Sequence, residues 1–160
     1  MLMRAAEESF EHGVTALGEN RMREALAFFE AAVSLEKRFN VKDPQARYLS
    51  YYGLCLSKTR SKRHEAVRCC KRATRIERYN PDLYLNLSHT LLAAGFRGKA
   101  HEAVISGLRQ EPKHTELRRQ LARLGHRQRL TVPFLSRSNP INVFFGRQHR
   151  AAARKRKKRT

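Results

Sequence analysis

Acidic residues are scarce in this chain: 14 Asp and Glu stand against 34 Lys and Arg in 160 residues, a formal net charge of +20. Nowhere do ~18 apolar residues follow one another, so no segment reads as a membrane-spanning helix. The first fourteen residues, MLMRAAEESFEHGV, lack the apolar core of a secretory signal. Cysteine is limited to Cys55, Cys69 and Cys70. An odd number with two adjacent makes no disulfide framework, and the expected setting is a reducing cytoplasm, or a nucleus if the source is eukaryotic. Five Pro and eight Gly are too few for a collagen-like or low-complexity chain. What remains is a length and an apolar share of 41% that suit one domain with a short tail.

The positive charge is segregated. Residues 1–40 hold five basic and seven acidic side chains, whereas residues 41–80 hold eleven and three. Residues 81–128 hold eight and four, and residues 129–160 hold ten basic and none acidic. Such asymmetry points to an anionic partner rather than to a need of the fold.

Apolar residues recur at helical spacing from Ala6 to Leu124. Ala25, Phe28, Phe29, Ala32 and Leu35 mark one helix face, and Ala66, Cys70, Ala73 and Ile76 another. Ala100, Val104, Gly107 and Leu108 form a third, and Leu117, Leu121 and Leu124 a fourth. Alternating β-branched residues are nearly absent, which argues against a sheet. Asp43-Pro44 and Asn80-Pro81 each offer a capping side chain followed by Pro at the first helical position. Gly18 and Gly95 suit hairpin turns that need positive φ. About seven helices are predicted, three hairpins and one more.

The small residues opening each second helix, Ala25, Ala66 and Ala100, are 41 and 34 residues apart. Residues 80–112 carry Tyr84, Leu87, Ser88 and Leu91, then Gly95, then Ala100, Val104 and Gly107, and end on Pro112. This pattern and its 34-residue period resemble the tetratricopeptide repeat (TPR). Gly13, Ala25, Phe29 and Ala32 fall at the same offsets in the first unit. Leu49, Tyr52, Gly53, Leu56, Ala66 and Ala73 do so in the second, given a hairpin loop (58–63) one residue longer and six extra residues near 38–42. Small residues let two helices cross closely while a large apolar neighbour fills the groove beside them.

The resemblance covers about residues 6–128. It implies an all-α, right-handed superhelical array of three TPR-like hairpins plus a C-terminal capping helix, followed by an irregular basic tail. The expected division is a TPR domain with its capping helix (1–128), a Pro-containing apolar segment packed on the array (129–146) and a disordered polybasic tail (147–160). It also implies protein or peptide binding in a groove lined by the first helices. By motif offset those residues are Phe10, Val14 and Leu17, then Arg47, Ser50, Leu54 and Lys58, then Asp82, Leu85, His89 and Leu92. The branch of the family that clamps a C-terminal carboxylate needs Lys, Asn and Arg at offsets that here hold Phe10, Val14, Tyr51, Asp82 and Asn86. An apolar peptide or a helix is the expected ligand instead. The alternative is a groove filled by the chain's own tail or by nothing.

Arg68, Lys71, Arg72 and Arg75 lie at i, i+3, i+4 and i+7 on the predicted helix 64–78, opposite Ala66, Cys70 and Ala73. The row reads either as a phosphate-tracking face or as a solvated helix surface. In the tail, Pro133 and Pro140 interrupt a stretch rich in Phe, Leu, Ile and Val that is expected to fold back on the array. From Arg147 onward eight of fourteen residues are basic, including Arg154, Lys155, Arg156, Lys157, Lys158 and Arg159. That run suits sequence-independent contact with RNA, DNA or an anionic membrane surface.

No chemistry-bearing motif emerges. His64-Glu65 and His101-Glu102 open as a zinc-protease helix opens, yet neither has a second His four residues on. Cys69 and Cys70 diverge by about 100° on a helix and cannot readily share one metal. The reading is therefore no enzyme, no metal and no cofactor. The expected function is a TPR adaptor or scaffold holding a protein partner, with a basic tail that adds affinity for a polyanion. The alternative is an RNA- or ribosome-associated protein whose array is a platform for phosphate binding.

Overall fold

A computed structural model describes residues 2–42 and 44–125, and all seven elements named here lie among them. The helices are α1 (Leu2–Gly18), α2 (Met22–Arg38), α3 (Ala46–Leu56), α4 (Arg63–Ile76), α5 (Pro81–Ala93), α6 (Arg97–Gln110) and α7 (Thr115–Leu124). Helices α1/α2, α3/α4 and α5/α6 pair as hairpins, each second helix packs on the next first helix, and α7 closes on α6 and α5. A 3₁₀ turn, Arg60–Lys62, occupies the loop that the repeat spacing makes one residue longer. No strand occurs among the described residues.

Small side chains set the crossings. Ala25, Ala66 and Ala100 are fully buried, as are Ala32 and Ala73. A Cβ added at Gly13 would stand 2.6 Å from the Phe29 ring, and one at Gly53 2.7 Å from Cys70 Sγ and 2.9 Å from the Ala66 carbonyl. Ser88, at the matching place in α5, is also fully buried. The large partners follow: Phe29, Leu56, Leu83, Val104 and Leu117 are wholly enclosed, each worth about 1.5–3 kcal/mol of apolar burial. The apolar faces read from sequence are buried along their centres; Leu35, Leu108 and Leu121 are half-buried, and Phe28 and Ile76 remain 36% and 42% exposed.

The turns correct two expectations. Gly18 is the last residue of α1, and positive φ falls instead on Asn20 (61°), whose small polar side chain tolerates the left-handed region. Asn40 (49°) serves the same purpose after α2, while Gly95 (83°) does so as expected. Asn80 caps α5, its Oδ1 accepting from Asp82 N at 3.1 Å with Pro81 at the first helical position. Pro44, by contrast, does not open α3, which begins two residues later at Ala46. Gln45 N donates to the Glu36 carboxylate at 2.7 Å, so a side chain from α2 satisfies the group a local cap would have taken. Asp43 itself lies outside the described residues.

α7 is tied down at both ends. His114 Nδ1 accepts from Leu117 N at 3.2 Å, and Arg97 donates to the Leu124 carbonyl at 2.8 Å. Leu117 and Leu124 bury against Val104, with Leu85, Leu92, Leu108 and Leu121 packed around them. Cys70 is fully enclosed and Cys69 sits at the boundary. The expectations for residues 126–160, covering the end of the TPR region, the Pro-containing segment and the polybasic tail, lie outside the described residues.

Candidate functional site

The first helices stand side by side. Phe10 of α1 meets Tyr48 and Tyr51 of α3 at ring-centroid distances of 5.0 and 5.4 Å, and Asn86 of α5 donates to Ser50 Oγ of α3 at 3.0 Å. Both residues belong to the interior: Phe10 is 7% exposed and also packs on Phe29, and Ser50 is fully buried. The Ser50 carbonyl accepts from Cys70 Sγ at 3.4 Å, and Cys70 shares a further 3.4 Å contact with Thr90 Oγ1. Burial pushes the Cys70 thiol up to about 12, so it is no ready nucleophile.

The remaining candidates divide by chemistry along the helices. Toward the helix starts lie Arg47 and Asp82. Arg47 pairs with Glu7 of α1, and Tyr48 Oη donates to the same Glu7 oxygen at 2.7 Å. The Arg47 guanidinium also stands 5.0 Å above the Phe10 ring. Burial and the Glu7 carboxylate hold the Tyr48 hydroxyl well above its usual range. Asp82 takes a 3.0 Å hydrogen bond from His114 Nε2. Glu7, Arg47 and Asp82 share one offset in their repeats, so Glu7 was within reach of the spacing that found the other two.

Toward the helix ends the surface is apolar with a basic border. Val14 is 40% exposed, Leu17 and Leu54 are half-buried, and Lys58 is exposed. Leu92, and Leu85 nearer the start of α5, are half-buried against the cluster that Val104 of α6 forms with Leu117 and Leu124 of α7, which leaves them less surface than the repeat pattern alone gives. His89 is half-buried; burial lowers its pKa, a hydrogen bond with Gln120 pulls the other way, and Lys58 and Arg123 lower it further. Gln120 and Arg123 belong to α7, beyond the repeats, and no repeat offset signals them.

On α4, Arg68, Lys71, Arg72 and Arg75 are all exposed. None forms an ion pair with an acid among the described residues. Arg154, Lys155, Arg156, Lys157, Lys158 and Arg159 lie outside the described residues. Among the described residues no group of three His, Cys, Asp or Glu could hold a metal, and no helix is long and apolar enough to cross a membrane.

No protein-family model matches the sequence, and no curated protein does. Solved structures do. The TPR domain of Arabidopsis OM64 superposes with a TM-score of 0.63 over 78% of this chain and 97% of its own, at 20% identity. The fold is that of a tetratricopeptide-repeat domain. The first TPR of Spaghetti (RPAP3), solved with the HSP90 peptide SRMEEVD, covers 76% of this chain and 93% of its own (TM-score 0.61, 15% identity). YrrB, described as a TPR protein with an unusual peptide-binding site, covers 72% and 56% (TM-score 0.59, 18% identity). At these identities the likeness speaks for the TPR fold and not for a shared ligand.

Proposed function

We propose that this TPR domain is a non-catalytic protein-interaction scaffold that seats an apolar peptide or helix across the ends of its first helices. Val14, Leu17, Leu54 and Leu92 would take the apolar side chains, with His89 and Lys58 as the polar border. The observation that carries this reading is the run of half-covered apolar side chains at matching repeat offsets, which leaves apolar surface in water unless a ligand covers it. Two of the similar structures are described with peptides or a peptide-binding site, which supports peptide capture as the use of the fold. A carboxylate clamp does not fit: of its offsets, Phe10 is buried, Val14 and Tyr51 carry no cation, Asp82 is an anion, and Asn86 is engaged by Ser50. The basic face of α4 and the C-terminal run would add affinity for a polyanion. The second reading, a phosphate-binding platform associated with RNA or ribosomes, is favoured by the unpaired cations of α4.

A nuclease-treated pulldown with the full chain separates the two. A protein partner that survives deletion of residues 147–160 and is lost with Val14→Arg and Leu54→Arg supports the scaffold. Loss on nuclease treatment or tail deletion, with no effect of the two substitutions, overturns it in favour of the platform.

A further inference from the structure

Exposed aromatic side chains stand near the start of α4 and just after its end. His64 lies on the same helical face as Arg68, Lys71 and Arg75 and is exposed. Its ring stands 6.0 Å from that of Phe96, itself 37% exposed with Lys99 Nζ 5.2 Å above it. At the other end Tyr79 is 84% exposed, the most exposed large hydrophobic residue described. It makes no hydrogen bond, ion pair or ring contact among the described residues. Its support is nonetheless fixed. Tyr84 Oη donates to the Arg78 carbonyl at 3.0 Å, Asn80 Nδ2 donates to Glu77 Oε1 at 3.0 Å, and Asn80 Oδ1 caps α5. The phenol ring is thus displayed from a pinned turn three residues past the end of the helix that carries the exposed cations.

Unpaired cations alone would suit any polyanion. Exposed rings near the start of the helix and just after its end narrow the choice, because a base can lie flat on a ring while its phosphates meet the cations. A duplex hides its base faces, and an acidic polypeptide has no comparable planar surface. From His64 to Ile76 the helix rises about 18 Å, enough for the shortest sites of single-strand binders, about four nucleotides. We infer that the outer face of α4 binds single-stranded nucleic acid, its phosphates on Arg68, Lys71, Arg72 and Arg75 and a base stacked on Tyr79. This inference rests on the polyanion part of the function proposed above and names the ligand class.

The test uses the full chain, a fluorescently labelled ten-nucleotide single strand, and heparin and polyglutamate as polyanions without bases. Tyr79→Ala is expected to weaken oligonucleotide binding fivefold or more, to leave heparin binding within twofold, and to be rescued by Tyr79→Phe. Changing Arg68, Lys71, Arg72 and Arg75 to Gln is expected to flatten the slope of log K against log salt by up to about 2.8. Circular dichroism should show both variants folded, since the altered side chains are exposed. If Tyr79→Ala and the Gln variant bind the oligonucleotide like the parent, the inference fails while a tail-based polyanion reading stands. If polyglutamate binds as tightly as the oligonucleotide and ignores Tyr79, the partner is an acidic protein and the inference also fails. If none of the three polyanions binds, both readings fall.

Discussion

Glu36 and Gln45 are joined across the longest connection between helices, the Glu36 carboxylate of α2 accepting the Gln45 backbone N–H at 2.7 Å. The bond does two things at once. It satisfies the start of α3, where Gln45 offers no side-chain cap, and it sets the second hairpin against the first. Glu36 is only 8% exposed and Gln45 is half-buried, so loss of the carboxylate leaves a partly buried donor without its acceptor. Glu36→Ala is expected to cost about 1–3 kcal/mol, and Glu36→Gln much less because the amide oxygen can still accept. Burial raises the Glu36 pKa above its ordinary 4.5, with Gln45 N and Arg47 opposing. A raised folded-state value means its contribution is present below pH 4.5 and declines as pH rises through the folded pKa. Urea midpoints of the parent should therefore fall relative to Glu36→Gln over that window.

Gly53 tests the helix crossing. A methyl group there meets the Ala66 carbonyl at 2.9 Å, which is backbone and cannot swing aside. Gly53→Ala is expected to lower the melting temperature despite the better helix propensity of alanine. Ala66→Leu and Ala100→Leu should each cost roughly 1–3 kcal/mol by overpacking. Neutral thermal melts for all three would refute the crossing.

Phe10 is expected to behave as a core residue. Its ring contacts Phe29, Tyr48 and Tyr51 within 5.5 Å and carries Arg47 above it. Phe10→Ala should cost about 3–5 kcal/mol in chemical denaturation and weaken peptide binding only through unfolding. Leu54→Arg, at a half-buried site, should do the reverse: near-parent stability with binding lost.

His89 predicts a pH dependence of opposite sign to that of Glu36. Burial keeps its folded pKa below the ordinary 6.5, with Lys58 and Arg123 adding to the effect and Gln120 and Glu116 opposing it. The unfolded chain then binds the proton more readily, so stability holds above pH 6.5 and falls as pH drops through the folded value. His89→Gln should flatten urea midpoints below pH 6.5, and a parent protein equally stable on both sides of 6.5 would contradict this.

The sequence by itself determined the seven helices, their pairing into three hairpins and a cap, and the segregation of charge. Helical periodicity records which face of a helix is apolar, and the Gly13, Gly53 and Ala66 positions record where helices must approach. Both are local signals, written within a few turns. Tertiary structure alone decided how completely each face is covered. It enclosed Phe10 and Ser50, packed Leu85 and Leu92 against the α6–α7 cluster, paired Glu7 with Arg47, and moved the start of α3 to a residue capped from α2. These outcomes depend on the approach of side chains about 10 to 40 positions apart. Spacing within one helix cannot encode that distance, because coverage depends on where the neighbouring helix lies.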